Sequence, residues 1–551
     1  MKKSILALSA AAAIGGLGFA GSAQALGYIG VADGLAASGT NATDATGLQF
    51  APGGMGHFLF VPYFSAQGSN ATLLNITNTD LHHGKAVKVR FRGAANSDDI
   101  LDFTLFLSPG DVWAGSISKG SDGFSVLASS DKSCSIPAFP GTGGENPSFR
   151  TERLPSYLSG DALAAQTREG YIEILNMADI WADTTAGSLY TNIKHVNGVA
   201  PCNYNAAVFQ QLLDANWWDT TAARAALQSS PIDLAGPTGQ LMASWAIVNQ
   251  DTWGTWSGVA TAIAAVGGTG TGNIMFTPQI EVPLPGGNAK AQEFTADPLL
   301  RGGLVNPLWF DLPDMSTPMI LGDAGLPLVP GNIGAPLSQA AGLSSQMGHI
   351  EVTNEYALTN NDVTMDTDWV ISQPTRRYFA AVQYGSSANS AKLWYNPDID
   401  STDGTGLHNS AGVAPSTTIP ATPAATNPTS GNRYSLLSLS GDIACMPVGF
   451  SSANREEQFS AAVGQWSPGQ SKSTCGEVFT ISFNQTGAKS PLSASLTNGV
   501  VTPAGKEGWG TVTMGANSAR ALPIVGFSAT SALNGEKRGN LAMTLPHRWA
   551  R

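Results

Sequence analysis

Val87-Lys88-Val89-Arg90-Phe91-Arg92 decides how this chain reads. Apolar side chains stand at 87, 89 and 91, cations at 88, 90 and 92. Successive side chains of a β-strand point to opposite faces, so this period of two predicts a strand with a core face and a wet face. Downstream, Leu101, Phe103, Leu105 and Leu107 alternate with Asp102, Thr104 and Phe106. Upstream lie Leu73-Leu74-Asn75-Ile76 and Phe58-Leu59-Phe60-Val61. Such segments, closely spaced between Gly56 and Trp113, predict an antiparallel β domain.

The same rhythm of short strands and Ser/Thr/Asn/Gly turns continues along the chain. It predicts strands at Tyr171–Leu175, Leu241–Val248, His349–Thr353, Trp369–Ser372, Tyr378–Gln383, Ser435–Leu439, Val478–Phe483, Gly508–Met514 and Pro523–Phe527. Helices are expected at Asn205–Gln228, where Val208, Leu212, Ala215 and Trp218 form one apolar stripe, and at Trp253–Ala265. The expected architecture is mainly β: antiparallel β-sandwich-like domains with a small helical insertion. Residues 26–200 would form an N-terminal β domain, 201–345 a mixed helical and β region, and 346–551 a C-terminal β domain. Ser401–Ser430 is nearly all Ser, Thr, Gly, Pro, Ala and Asn. It buries too little apolar surface to offset its ordering entropy and reads as an interdomain linker or, by preference, an inserted loop.

Composition limits the function. Of 551 residues only 12% are charged while 42% are hydrophobic, which permits a large core and excludes wholesale disorder. A net charge of −12 argues against a nucleic-acid partner. Residues 1–25 read as a signal peptide: Lys2 and Lys3, an Ala/Leu/Gly-rich stretch, then Ala23-Gln24-Ala25 as cleavage site. No transmembrane segment is expected after cleavage, and a β-barrel fits poorly with the long, irregular connections. Cys134, Cys202, Cys445 and Cys475 suggest disulfides in an exported protein. Pairing Cys134 with Cys202 and Cys445 with Cys475 keeps each bridge within one region.

Catalytic motifs are scarce. Ser116-Ile117-Ser118-Lys119 is a bare S-x-x-K without companion segments. Gly267-Gly268-Thr269-Gly270-Thr271-Gly272 reads as a turn, since it lacks phosphate-loop spacing. His82-His83 reads as an exposed turn. Asp398, Asp400 and Asp403 resemble a calcium loop, making calcium the one cofactor the sequence admits. Asp362 with Asp366 and Asp368, and Asp98-Asp99, are further acidic clusters. Trp217, Trp218, Trp253 and Trp256 are the densest aromatic group and the candidate glycan platform.

Several blocks resemble a group of exported cell-surface proteins of Gram-negative bacteria. They are Val61-Pro62-Tyr63-Phe64, Ala71–Thr79, Lys85–Phe91, Leu101–Trp113, Asp368–Tyr378 and Arg455-Glu456-Glu457. The resemblance implies a location on the outer face of the envelope, as in a surface layer, and brings no activity or ligand with it. The expectation is therefore a non-catalytic cell-surface structural protein that self-associates into a layer or coat. The alternatives are an adhesin or glycan-binding surface protein, and a secreted hydrolase whose site needs two carboxylates in one cleft.

Overall fold

The structure is a computed structural model. It describes residues 45–213, 226–276, 279, 313–317, 319–320, 334–359, 363–395, 434, 436–459, 472–483, 490–496, 498–503, 505–514, 521–533 and 540–549. The signal peptide, Trp217, Trp218, Asp362, Asp398, Asp400, Asp403 and the loop 401–430 lie outside them.

The first strands are Gly47–Phe50 (β1), Phe58–Ser65 (β2), Asn70–Asn78 (β3), Gly84–Gly93 (β4), Asp99–Leu107 (β5), Val112–Lys119 (β6), Ser125–Ala128 (β7), Cys134–Ile136 (β8), Glu169–Ile180 (β9), Leu234–Ala235 (β10), Leu241–Asn249 (β11), Thr255–Val259 (β12) and Thr261–Val266 (β13). Sheet I runs β1-β13-β2-β9-β4-β5-β8, with β10 beside β9. Sheet II runs β12-β11-β3-β6-β7. They face each other across a core of Leu59, Val61, Leu74, Ile76, Val87, Val89, Phe91, Phe103, Leu105, Trp113, Ile172, Ile174 and Trp245. The apolar positions of the opening strand therefore point into a sandwich, as their spacing requires.

The later strands are Gly348–His349 (β14), Glu351–Ala357 (β15), Thr364–Ser372 (β16), Ala380–Gln383 (β17), Lys392–Tyr395 (β18), Ser438–Ser440 (β19), Ile443–Asn454 (β20), Lys472–Cys475 (β21), Val478–Phe483 (β22), Asn498–Val501 (β23), Glu507–Met514 (β24), Leu522–Pro523 (β25), Val525–Leu533 (β26) and Leu541–Pro546 (β27). Sheet III runs β15-β24-β20-β19, with β21 beside β20, and sheet IV runs β23-β22-β16-β26-β27. Val352, Tyr356, Trp369, Phe450, Ile481, Phe483 and Val512 fill the space between them. The other face of sheet IV, with Val370, Phe527 and Ala529, packs against the first sandwich, where the rings of Phe527 and Trp245 lie 4.7 Å apart.

One expectation needs correction. Trp253–Ala265 is not a helix but the two successive strands β12 and β13, the first in sheet II and the second in sheet I. An Ala/Val/Ile run has no helical or strand period of its own, so its partners decide: β12 zips onto β11 and β13 onto β1 and β2. The Asn205–Gln228 helix is seen as Ala207–Leu213 (α3), while 214–225 lie outside the described residues. Gly160–Ala165 (α1), Leu189–Ile193 (α2) and Gly334–Gln346 (α4) complete the helices described.

Both disulfides take the expected pairing, Cys134–Cys202 and Cys445–Cys475, closing separations of 68 and 30 residues. Constraining loops of this size in the unfolded chain stabilises by about 4 kcal/mol each in the chain-entropy model. The Gly267–Gly272 run is a turn, with Gly267, Gly268 and Gly270 at positive φ, a region open to glycine.

Candidate functional site

The cationic face of β4 is not wet. Strand register lines up Asp102 of β5, Arg90 of β4 and Glu173 of β9 in one row on the outer side of sheet I. Lys88 bonds Asp102, and also Gln279 Oε1 at 2.7 Å. Arg90 lies 3.4 Å from both Asp99 and Asp102, and Arg92 Nε lies 3.1 Å from Glu173 Oε2. From the C-terminal half, Arg377 reaches Glu173 at 3.7 Å and Asp314 at 3.0 Å, and Arg376 reaches Glu477 at 3.6 Å. Lys88, Arg90, Arg92, Glu173, Arg376, Arg377 and Glu477 are buried. The local sequence shows only an alternation of charge. Carboxylates from other strands make that face burial-competent, because each ion is paired as it leaves water. Against its own burial, Asp102 is held below the usual carboxylate range by Lys88 and Arg90. This layer joins the two halves of the chain.

The acidic clusters are enclosed too. Asp98, read as a turn, is buried and accepts the Tyr384 hydroxyl at 2.6 Å, and its burial lifts its pKa to about 7. Asp368 accepts the hydroxyls of Ser482 and Ser490 at 2.5 Å and the Leu492 amide at 3.1 Å; burial lifts it to about 6. Glu169 takes the Tyr63 hydroxyl at 2.6 Å and the Leu496 amide at 3.0 Å. With Asn70, whose side-chain amide donates to Leu492 O at 2.6 Å, these carboxylates clasp the segment 490–496. Leu492 sits wholly inside the clasp.

Asp80, His83 and Asp179 stand close enough together to ligate a metal ion. Lys85 Nζ already lies 2.7 Å from Asp179 and 4.0 Å from Asp80, supplying the positive charge a metal would bring. The hydrogen bond to Asp80 raises the His83 pKa against its partial burial. Ser108, His195 and Asp111 also converge. However, Ser108 Oγ (3.2 Å) and Asp111 Oδ2 (3.4 Å) approach the same atom, His195 Nδ1, so the ring cannot relay a proton between them. Ser116 and Lys119 are an odd number of positions apart on β6 and face opposite ways.

The tryptophan platform is not assembled as the sequence suggested. Trp256 is 1% exposed and donates its indole N–H to Thr530 O at 3.1 Å, whereas Trp253, on the turn before β12, is 74% exposed. Adjacency in sequence placed one in the core and the other in water. A different ring, Trp509 of β24, is 45% exposed and lines an open cleft of about 650 Å³ where sheets III and IV meet. Its isolation in sequence gave no density signal.

The outer face of sheet II is an uncharged surface. β3 presents Ala71, Leu73, Asn75 and Thr77; β6 presents Val112, Ala114, Ser116 and Ser118; β11 presents Met242, Ser244, Ala246 and Val248; β12 presents Thr255, Ser257 and Val259. The register sets them in straight rows, such as Ser116–Leu73–Ala246–Ser257, with no ionisable side chain in any row. Comparison with family models, with curated proteins and with solved structures gave no match to this chain.

Proposed function

We propose that this chain is a non-catalytic, exported cell-surface protein that associates with copies of itself through the outer face of sheet II. The observation that carries the reading is the lattice of uncharged side chains on that face. Two copies laid face to face there desolvate no ion and suffer no like-charge repulsion. Strands about 4.8 Å apart and roughly 20–30 Å long give about 500–700 Å² per copy. A like-on-like contact then buries about 1,000–1,400 Å², at the lower end of specific interfaces. The paired cysteines support an oxidising compartment, and the blocks 61–64, 71–79, 85–91 and 101–113 support placement at a Gram-negative surface.

The test is sedimentation velocity on residues 26–551 over a wide concentration range. Reversible association of the wild type is expected, with Leu73→Lys and Ser244→Glu, both at the centre of the face, remaining monomeric. A wild type that stays monomeric at high concentration, or variants that associate equally well, would overturn the proposal.

A further inference from the structure

The cleft beneath Trp509 carries an inference independent of self-association. Its rim holds two exposed ion pairs, Arg455–Glu507 at 3.5 Å and Arg548–Glu355 at 2.9 Å. Met365 and Leu545 add an apolar strip along the cleft. Register places Glu355 directly beside Trp509.

Each class of ligand can be weighed against these groups. A peptide docking as an extra strand needs free backbone groups along the edge of β15. Those groups are already used: Thr353 exchanges both backbone bonds with Arg548, Glu355 O accepts from Trp369 and Ser528, and Ala357 bonds Thr367 through both its N–H and its carbonyl. An anion would compete with the carboxylate paired to each arginine, and a metal ion with the arginine paired to each carboxylate. A neutral molecule rich in hydroxyls meets neither obstacle. Its C–H face stacks on the indole, while its hydroxyls accept from guanidinium and donate to carboxylate without net charge transfer.

We infer that the Trp509 cleft is a binding site for a neutral saccharide, with Trp509 as stacking platform and Glu355, Glu507, Arg455 and Arg548 as hydrogen-bonding rim. The test is a glycan array of neutral hexose and N-acetylhexosamine oligosaccharides, followed by titration of the best binder against intrinsic fluorescence. Saturable binding is expected, weakened at least tenfold by Trp509→Ala and by Glu355→Gln. Trp253→Ala, at an exposed ring that does not line the cleft, should bind as the wild type does. Circular dichroism confirms that each variant is folded. No binding on the array, equal binding by Trp509→Ala, or loss of binding in Trp253→Ala would overturn the inference. Because no residue of sheet II lines the cleft, Leu73→Lys should bind the saccharide normally, which separates this result from the association test.

Discussion

Replacing Glu173 by Gln tests whether the buried charge layer holds the two halves of the chain together. Glu173 is buried and meets Arg92 at 3.1 Å, Arg377 at 3.7 Å and the Tyr171 hydroxyl at 3.4 Å. Gln keeps the volume but removes the charge, so two buried guanidinium groups face each other across a neutral amide. Breaking one partner of a buried pair costs about 3–5 kcal/mol. At 1.4 kcal/mol per tenfold, the unfolding constant should rise by about 10²–10³·⁵. Urea, which leaves ionic strength unchanged, is the denaturant of choice, with tryptophan fluorescence as readout. Arg455→Gln, which breaks an exposed pair, is the control and should cost at most about 1 kcal/mol. Replacing Arg92 by Met and Glu173 by Leu together should recover much of the loss, since well-packed apolar groups tolerate that space better than one unpaired ion. If Glu173→Gln costs no more than Arg455→Gln, the layer is not holding the halves together and the reasoning fails.

Two further outcomes follow from the interior. His57 is fully enclosed, takes the Ala265 amide on Nδ1 at 3.0 Å, and places Nε2 3.1 Å from Pro237 O. Burial lowers its pKa to about 4 from 6.5, so its contribution is complete above pH 6.5 and is lost as pH falls toward 4, by about 3 kcal/mol. His57→Gln should flatten the fall in urea midpoint over that window; an unchanged pH slope counts against this account. Leu492→Ala should cost about 2–5 kcal/mol by emptying the clasp formed by Asp368, Glu169 and Asn70. Limited proteolysis should then cut within 490–496, and continued resistance there would contradict the anchoring role.

The sequence was most legible where the information is local. Val87, Val89 and Phe91 announce a strand and its core face because a period of two leaves no helical alternative. Val478–Phe483 is readable for the same reason. The fate of Lys88, Arg90 and Arg92 was not legible, since a cation bound for water and one bound for a carboxylate look alike within six residues. Glu173, more than eighty positions away, makes the difference. Trp253 and Trp256 mislead in a related way: a turn followed by a strand sends neighbouring rings to opposite environments. The sheet II face is written in four separate segments, each an ordinary strand alternation with uncharged outward residues. Its lack of charge emerges only when the register lays them side by side.

That dispersal has a temporal consequence. Positions 71–77, 112–118, 242–248 and 255–259 become one surface only when β11 and β12 have closed onto β3. An unfolded or half-made chain has no such surface to offer, so contact through it is conditional on complete folding. If copies associate as proposed, a copy that has not finished its N-terminal sandwich would have nothing with which to join its neighbours.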